Sequence, residues 1–156
     1  MIRRLALALL ALAAVVFPGC ARRETPVEEG IRTKTLLIGN QSEPATLDPN
    51  LIDAATDQNI ATALFEGLTV LDEKTALPLP GVAERWDVSA HGLEYTFYLR
   101  ATARWSNGDP VTAEDFRFSF ERILSPRLAG EYAYMLHVIK NARAFNEGRI
   151  TDFSDV

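Results

Sequence analysis

The apolar and polar positions of this chain change period several times, and each change predicts an element. Leu5 to Phe17 is an unbroken run of Leu, Ala, Val and Phe. Lys34 to Gly39 is a short β-rich run closed by Gly39-Asn40, which predicts a strand. Ser42 to Asn50 is punctuated by Pro44 and Pro49 and reads as a loop. Ile60, Ala63 and Leu64 form an apolar stripe at helical spacing. They predict a helix from a cap at Thr56 or Asp57 to about Phe65, stopped by Gly67. Leu68 to Leu71 is a second strand with a turn through Asp72-Glu73-Lys74, and Pro80 to Glu84 suggests one tight helical turn. Arg85 to Ser89 and Leu93 to Arg100 form a hairpin through Ala90-His91-Gly92. Tyr95, Phe97 and Leu99 share one face of it, with Thr96 and Tyr98 on the other.

Trp105 leads into Ser106-Asn107-Gly108-Asp109-Pro110, a strong turn signal. Thr112 stands three residues before Asp115, in the pattern of a capping box. Ala113, Phe116, Phe120 and Ile123 then repeat at helical spacing until Ser125-Pro126. A last helical stretch, Tyr132 to Phe145 with a break, ends at Asn146-Glu147-Gly148. Strands mixed with helices imply an α/β or α+β class.

The opening run changes meaning once its flanks are included. Arg3 and Arg4 precede it, and the small residue Gly19 and Cys20 follow it. A charged start, an apolar centre and a small-residue end make a secretory signal peptide over residues 1–20. The run is too short for a membrane span, which needs about 20 apolar residues. Losing Arg3 and Arg4 takes the 16 Lys and Arg to 14 against 21 Asp and Glu, a net charge near −7. An acidic body argues against nucleic acid, whose phosphates need a basic footprint. Cys20 is the one cysteine, so no disulfide can form within the chain despite export. The fold must therefore rest on its apolar core.

Phe17-Pro18-Gly19-Cys20 resembles the lipobox of bacterial lipoproteins. That resemblance implies acylation at Cys20, with the membrane as a partner through the lipid and a location in the periplasm or cell envelope. The plain alternative is cleavage near Ala21 or earlier, with release of a soluble protein. The following residues 21–33 are polar, with Pro26, Glu28 and Glu29, and read as a flexible tether.

Enzyme readings are weak, and the expectation is that the chain is not an enzyme. His91 and His137 lack a second ligand at metal spacing, so no metal and no cofactor is expected. There is no nucleophile elbow and no phosphate-cradling loop. Glu114 and Asp115 fit the favourable dipole at a helix start rather than a catalytic pair. Phe116, Phe118, Phe120, Trp86 and Trp105 read as core.

Leu64-Phe65-Glu66-Gly67-Leu68, Pro80 to Trp86, and Tyr95 to Arg100 followed by Trp105 to Phe116 resemble, in order and spacing, the oligopeptide-binding family of extracellular solute-binding proteins. Glu43 to Pro49 matches upstream, and the resemblance covers roughly residues 35 to 156. It implies part of a two-lobed, periplasmic-binding-protein-like type II α/β fold that closes on its ligand by hinge motion. Residues 34–65 would begin the first ligand-binding lobe. Residues 66–156 would form most of an accessory α/β domain. The chain is then expected to be the beginning of a longer receptor, with residues 35–65 leaving unpaired edges and exposed apolar surface.

The same resemblance implies an oligopeptide ligand, ABC permease subunits as partners, and a monomer. It places the loop Asp53-Ala54-Ala55 and the ring of Tyr132 against bound peptide. Backbone groups in such a loop can hydrogen-bond an extended peptide whatever its sequence. Asp53 could meet a basic side chain, and Tyr132 offers an aromatic face with a polar tip. The alternatives are a solvated loop acid and a core tyrosine. Other ligands remain open, namely a nickel chelate, haem or a cell-wall peptide. So do an exported surface lipoprotein without a transport role and an exported enzyme whose site lies beyond Val156.

Overall fold

The computed structural model describes residues 23–156. The expected signal peptide and the expected lipidation site Cys20 lie outside the described residues. The chain divides into two compact units, one ending at Gly39 and one running from Asn40 to Val156.

In the first unit, helix α1 spans Pro26–Thr33. Glu28 N–H donates to Thr25 Oγ1 at 3.2 Å, and Thr25 N–H donates to the Glu28 carboxylate at 2.9 Å. This reciprocal pair is a capping box. Pro26 sits at the helix start, where a missing N–H costs nothing. The segment expected as a tether thus contains a helix, because its proline initiates structure there. Lys34 closes the helix in the left-handed region at φ 55°. The strand expected over Lys34–Gly39 is absent. A strand needs a partner for its backbone groups, and none pairs with this segment among the described residues. Leu36 is 82% exposed, and Leu37 and Ile38 are exposed beside it.

The second unit opens with the expected loop and then helix α2, Ala55–Leu64. Asp57 does not cap this helix. It lies inside the first turn, is fully buried, and accepts a hydrogen bond from Ala45 N–H at 3.0 Å. The cap position is Ala54, with no side-chain bond. Asp57, Ile60 and Ala61 form the inward stripe, while Ala63 and Leu64 face outward.

Strand β1, Thr69–Leu71, pairs antiparallel with β2, Pro78–Pro80. Asp72 organises the turn between them by accepting from Lys74 and Thr75 N–H. The helical turn expected over Pro80–Glu84 does not form. Gly81 and Ala83 N–H donate to the Leu68 carbonyl, and Val82 N–H donates to the Gly67 carbonyl. This pairing to a distant segment carries the chain straight into β3, Ala83–Val88. The hairpin of β3 with β4, Tyr95–Leu99, forms as expected, with Gly92 at φ +72° in its loop.

The Trp105–Pro110 turn closes with Trp105 N–H donating to Asp109 O at 2.8 Å. Helix α3, Ala113–Leu124, follows with the expected Thr112–Asp115 capping box. Its inward residues include Phe116, Phe120 and Ile123, with Leu124 fully buried. Phe118 lies on the opposite side and is exposed, so its expected core role does not hold. Trp105 is also exposed, whereas Trp86 packs half-buried against Phe97, ring centres 6.2 Å apart.

The last helical stretch is broken as expected. A 3-10 helix spans Glu131–Val138, and α4 spans Ala142–Asn146 after Asn141 at φ 60°. Leu124, Ala133, Ala142 and Phe145 form the core between these elements. Asn146 Nδ2–H donates to the Leu124 carbonyl at 3.0 Å, which fastens α4 to the end of α3. Its Oδ1 faces His137 Nε2 at 3.0 Å, so that ring nitrogen carries the proton.

Candidate functional site

The chain leaves the Ser42–Asn50 loop in extended form, with Ala54 at φ −114° and ψ 149° just before α2. The 3-10 helix brings Tyr132 to this same place from the other end of the unit. Ile52, Asp53, Ala54, Ala55, Gln58, Tyr132 and Met135 line one open depression of about 350 Å³. All four residues named from the sequence, Asp53, Ala54, Ala55 and Tyr132, therefore meet. Tyr132 OH donates to the Asp53 carbonyl at a long 3.4 Å. The Tyr132 ring is 38% exposed and lies 6.1 Å from that of Tyr134, tilted by 50°.

The chemistry on offer is that of binding. Asp53 supplies one negative charge, Tyr132 an aromatic face, and Met135 a pliable apolar surface. The lining holds no cysteine, serine, lysine or histidine side chain. His91 is elsewhere, on Ser89 and Leu93 in the β3–β4 loop. Among the described residues, no group of three or more His, Cys, Asp and Glu side chains is placed to hold a metal. No helix among them is long and apolar enough to cross a membrane.

Sequence reasoning missed Ile52, Gln58 and Met135, and it missed what holds the depression together. Arg122 of α3 reaches the loop before the site. Its Nη2 donates to Asp48 Oδ2 at 2.6 Å, and its Nη1 donates to Asp48 Oδ1 and Asn50 Oδ1, both at 2.7 Å. The two charged side chains keep only 32% and 30% of their surface in solvent. Hydrogen bonding from Arg122 holds the Asp48 carboxyl below its ordinary 3.8, against the opposing push of burial. Asn50 N–H donates to Asp48 Oδ1 at 3.1 Å, so the Asp48-Pro49-Asn50 turn is itself cross-linked. That turn was the available signal; its partner, 74 residues away, was not readable.

The chain is similar to known proteins over much of its length. Residues 78–151 match the family described as bacterial extracellular solute-binding proteins, family 5 Middle. The dipeptide-binding protein DppE of Bacillus subtilis is 35% identical over 138 residues, covering 84% of this chain and 25% of that protein. The periplasmic oligopeptide-binding protein OppA of Escherichia coli is 46% identical over 103 residues, covering 66% and 19%. The crystal structure of Haemophilus influenzae OppA in complex with RPPGFSPFR superposes with a TM-score of 0.67 at 38% identity, covering 71% of this chain and 22% of that one. The chain thus spans about a quarter or less of the length of these relatives. They are named as binding proteins, not as enzymes. The mixed helices and strands are part of an α/β type II binding-protein fold.

Proposed function

Because this chain belongs to family 5 of the bacterial extracellular solute-binding proteins, we propose that it supplies one wall of a receptor that captures peptides for an ABC importer. Residues 34–65 begin the first ligand-binding lobe, and residues 66–156 form most of an accessory domain. The receptor works in the periplasm or cell envelope as a monomer. The signal peptide directs export, Cys20 takes the lipid that holds it to the membrane, and permease subunits receive the closed, loaded form. It performs no bond-making chemistry.

One observation supports the assignment of the site. Asp53, Ala54 and Ala55 lie 77 or more residues before Tyr132 in sequence, yet all line one depression. The extended backbone at Ala54 suits pairing with an extended peptide, whose main chain is the same in every ligand. Asp53 adds a preference for a cationic side chain, and the Tyr132 ring packs against the peptide.

Calorimetry with short peptides on the gene product that carries this chain tests the reading. Asp53→Ala and Tyr132→Ala are each expected to weaken binding about tenfold, equivalent to about 1.4 kcal/mol. Unchanged affinity in both variants removes the site from this depression. Incorporation of labelled lipid is expected to disappear in Cys20→Ala, and labelling that persists there rules out the anchor.

A further inference from the structure

We infer that Arg122 is a positioning residue for the depression: it fixes the Asp48–Asp53 segment against the segment that carries Tyr132. The inference rests on the peptide-binding reading for its functional consequence, but not for its geometry.

Three contacts run in order along the two segments. Arg122 grips Asp48 and Asn50 with three charge-assisted or polar bonds of 2.6 to 2.7 Å. The Asn50 carbonyl then lies so close to Gly130 that a Cβ there would meet it at 3.1 Å. The Asp53 carbonyl finally accepts from Tyr132 OH at 3.4 Å. The last contact is long and weak, and the middle one is only a close approach. Of the three, the contacts of Arg122 are the shortest and the charge-assisted ones. A guanidinium suits the task because its fork serves both Asp48 oxygens and Asn50 together. An ammonium is a single point of charge and cannot reproduce that fork.

The neighbouring Arg117 shows the contrast. Its ion pairs among the described residues are with Glu114 and Glu121 on its own helix. Such an exposed pair contributes little. A further polar link between α3 and the loop, Asn50 Nδ2–H to Ser119 Oγ at 3.4 Å, is too long to replace Arg122.

Fluorine NMR of a fluorotyrosine placed at Tyr132, in the gene product that carries this chain, reads the geometry without any peptide. Arg122→Gln is expected to shift and broaden the signal at temperatures well below unfolding. Arg122→Lys is expected to shift it less, and Arg117→Gln to leave it alone. A merely structural Arg122 would lower the melting temperature without moving this signal. An unmoved signal in Arg122→Gln, or in Arg122→Lys should the first variant not fold, overturns the inference.

The functional arm uses the peptides Ala-Ala-Ala and Ala-Lys-Ala. Affinity is expected to fall about tenfold in Arg122→Gln and about threefold in Arg122→Lys, with Arg117→Gln unchanged. A shifted fluorine signal with unchanged affinity would sever the link to ligand binding. Should the unsubstituted protein bind neither peptide, the peptide reading fails, while the fluorine signal still decides the role of Arg122.

Discussion

Gly81 shows how a single position can dictate the path of the chain. A Cβ built there would stand 2.6 Å from the Gly67 carbonyl oxygen and 3.0 Å from that of Leu68. Both obstacles are backbone, so neither can swing away. Those same carbonyls take hydrogen bonds from Gly81, Val82 and Ala83. Gly81→Ala must push the segment off and weaken all three bonds. A loss of about 1–3 kcal/mol is expected in denaturant unfolding; an unchanged midpoint would mean the contact is not tight. Asp57 makes a second case, since its buried Oδ1 satisfies Ala45 N–H and the Thr56 hydroxyl while Oδ2 has no partner. Asp57→Ala strands the Ala45 donor and is expected to cost about 1–3 kcal/mol. Asp57→Asn keeps an acceptor at Oδ1 and should cost less. The outcome to watch is equal losses in the two variants, which would take the Ala45 bond out of the explanation.

The loop–α3 connection brings pH into the fold, and its direction follows from Asp48. Arg122 holds the folded carboxyl below its ordinary 3.8, so the folded state takes up the proton less readily than the unfolded chain does. The stabilisation is complete above that ordinary value and is lost as pH falls through the lower folded one. Asp48→Asn should flatten this acid limb in a series of denaturant curves; a limb of the same steepness would assign it to other carboxylates. The connection also marks the limit of what patterns disclose. Helix α3 was readable because its cap, Thr112 with Asp115, and its stripe through Phe116 and Phe120 are all local. The β3–β4 hairpin was readable for the same reason. The Lys34–Gly39 strand and the Pro80–Glu84 turn were misjudged because partners elsewhere decide such segments: among the described residues none pairs with the first, and Gly67 and Leu68 take the second. Ala63 and Leu64 have the right spacing, but α2 turns its Asp57–Ala61 side inward to meet the loop at Ala45. The site followed the same rule. Asp53, Ala54, Ala55 and Tyr132 came from resemblance, since no periodicity joins them, and Arg122 came only from the structure.

Across the Asn40–Val156 unit, the small fully buried core contrasts with the apolar surface left open. Leu124, Ala133, Ala142 and Phe145 make the sealed cluster. Beside it, Leu68, Phe97, Leu99, Phe116, Phe120 and Ile139 are among the residues lining an open, mainly apolar groove of about 390 Å³. Leu64, Phe65, Leu71, Leu77 and Leu79 are exposed on the same unit. Water in contact with that much apolar surface is unfavourable by about 25 cal/mol per Å², and patches of this kind drive association. A polypeptide of residues 23–156 is therefore expected to bind a hydrophobic dye strongly and to sediment as larger species when concentrated. Phe97→Ser removes a ring from the groove wall; because that ring also packs against Trp86, the comparison is made at a temperature where circular dichroism shows the variant folded. That variant should lose a large part of the dye signal and remain monomeric to higher concentration. Dye binding and sedimentation indistinguishable from the unsubstituted polypeptide would show that another surface, with Leu64 and Phe65 as the first to test, governs association.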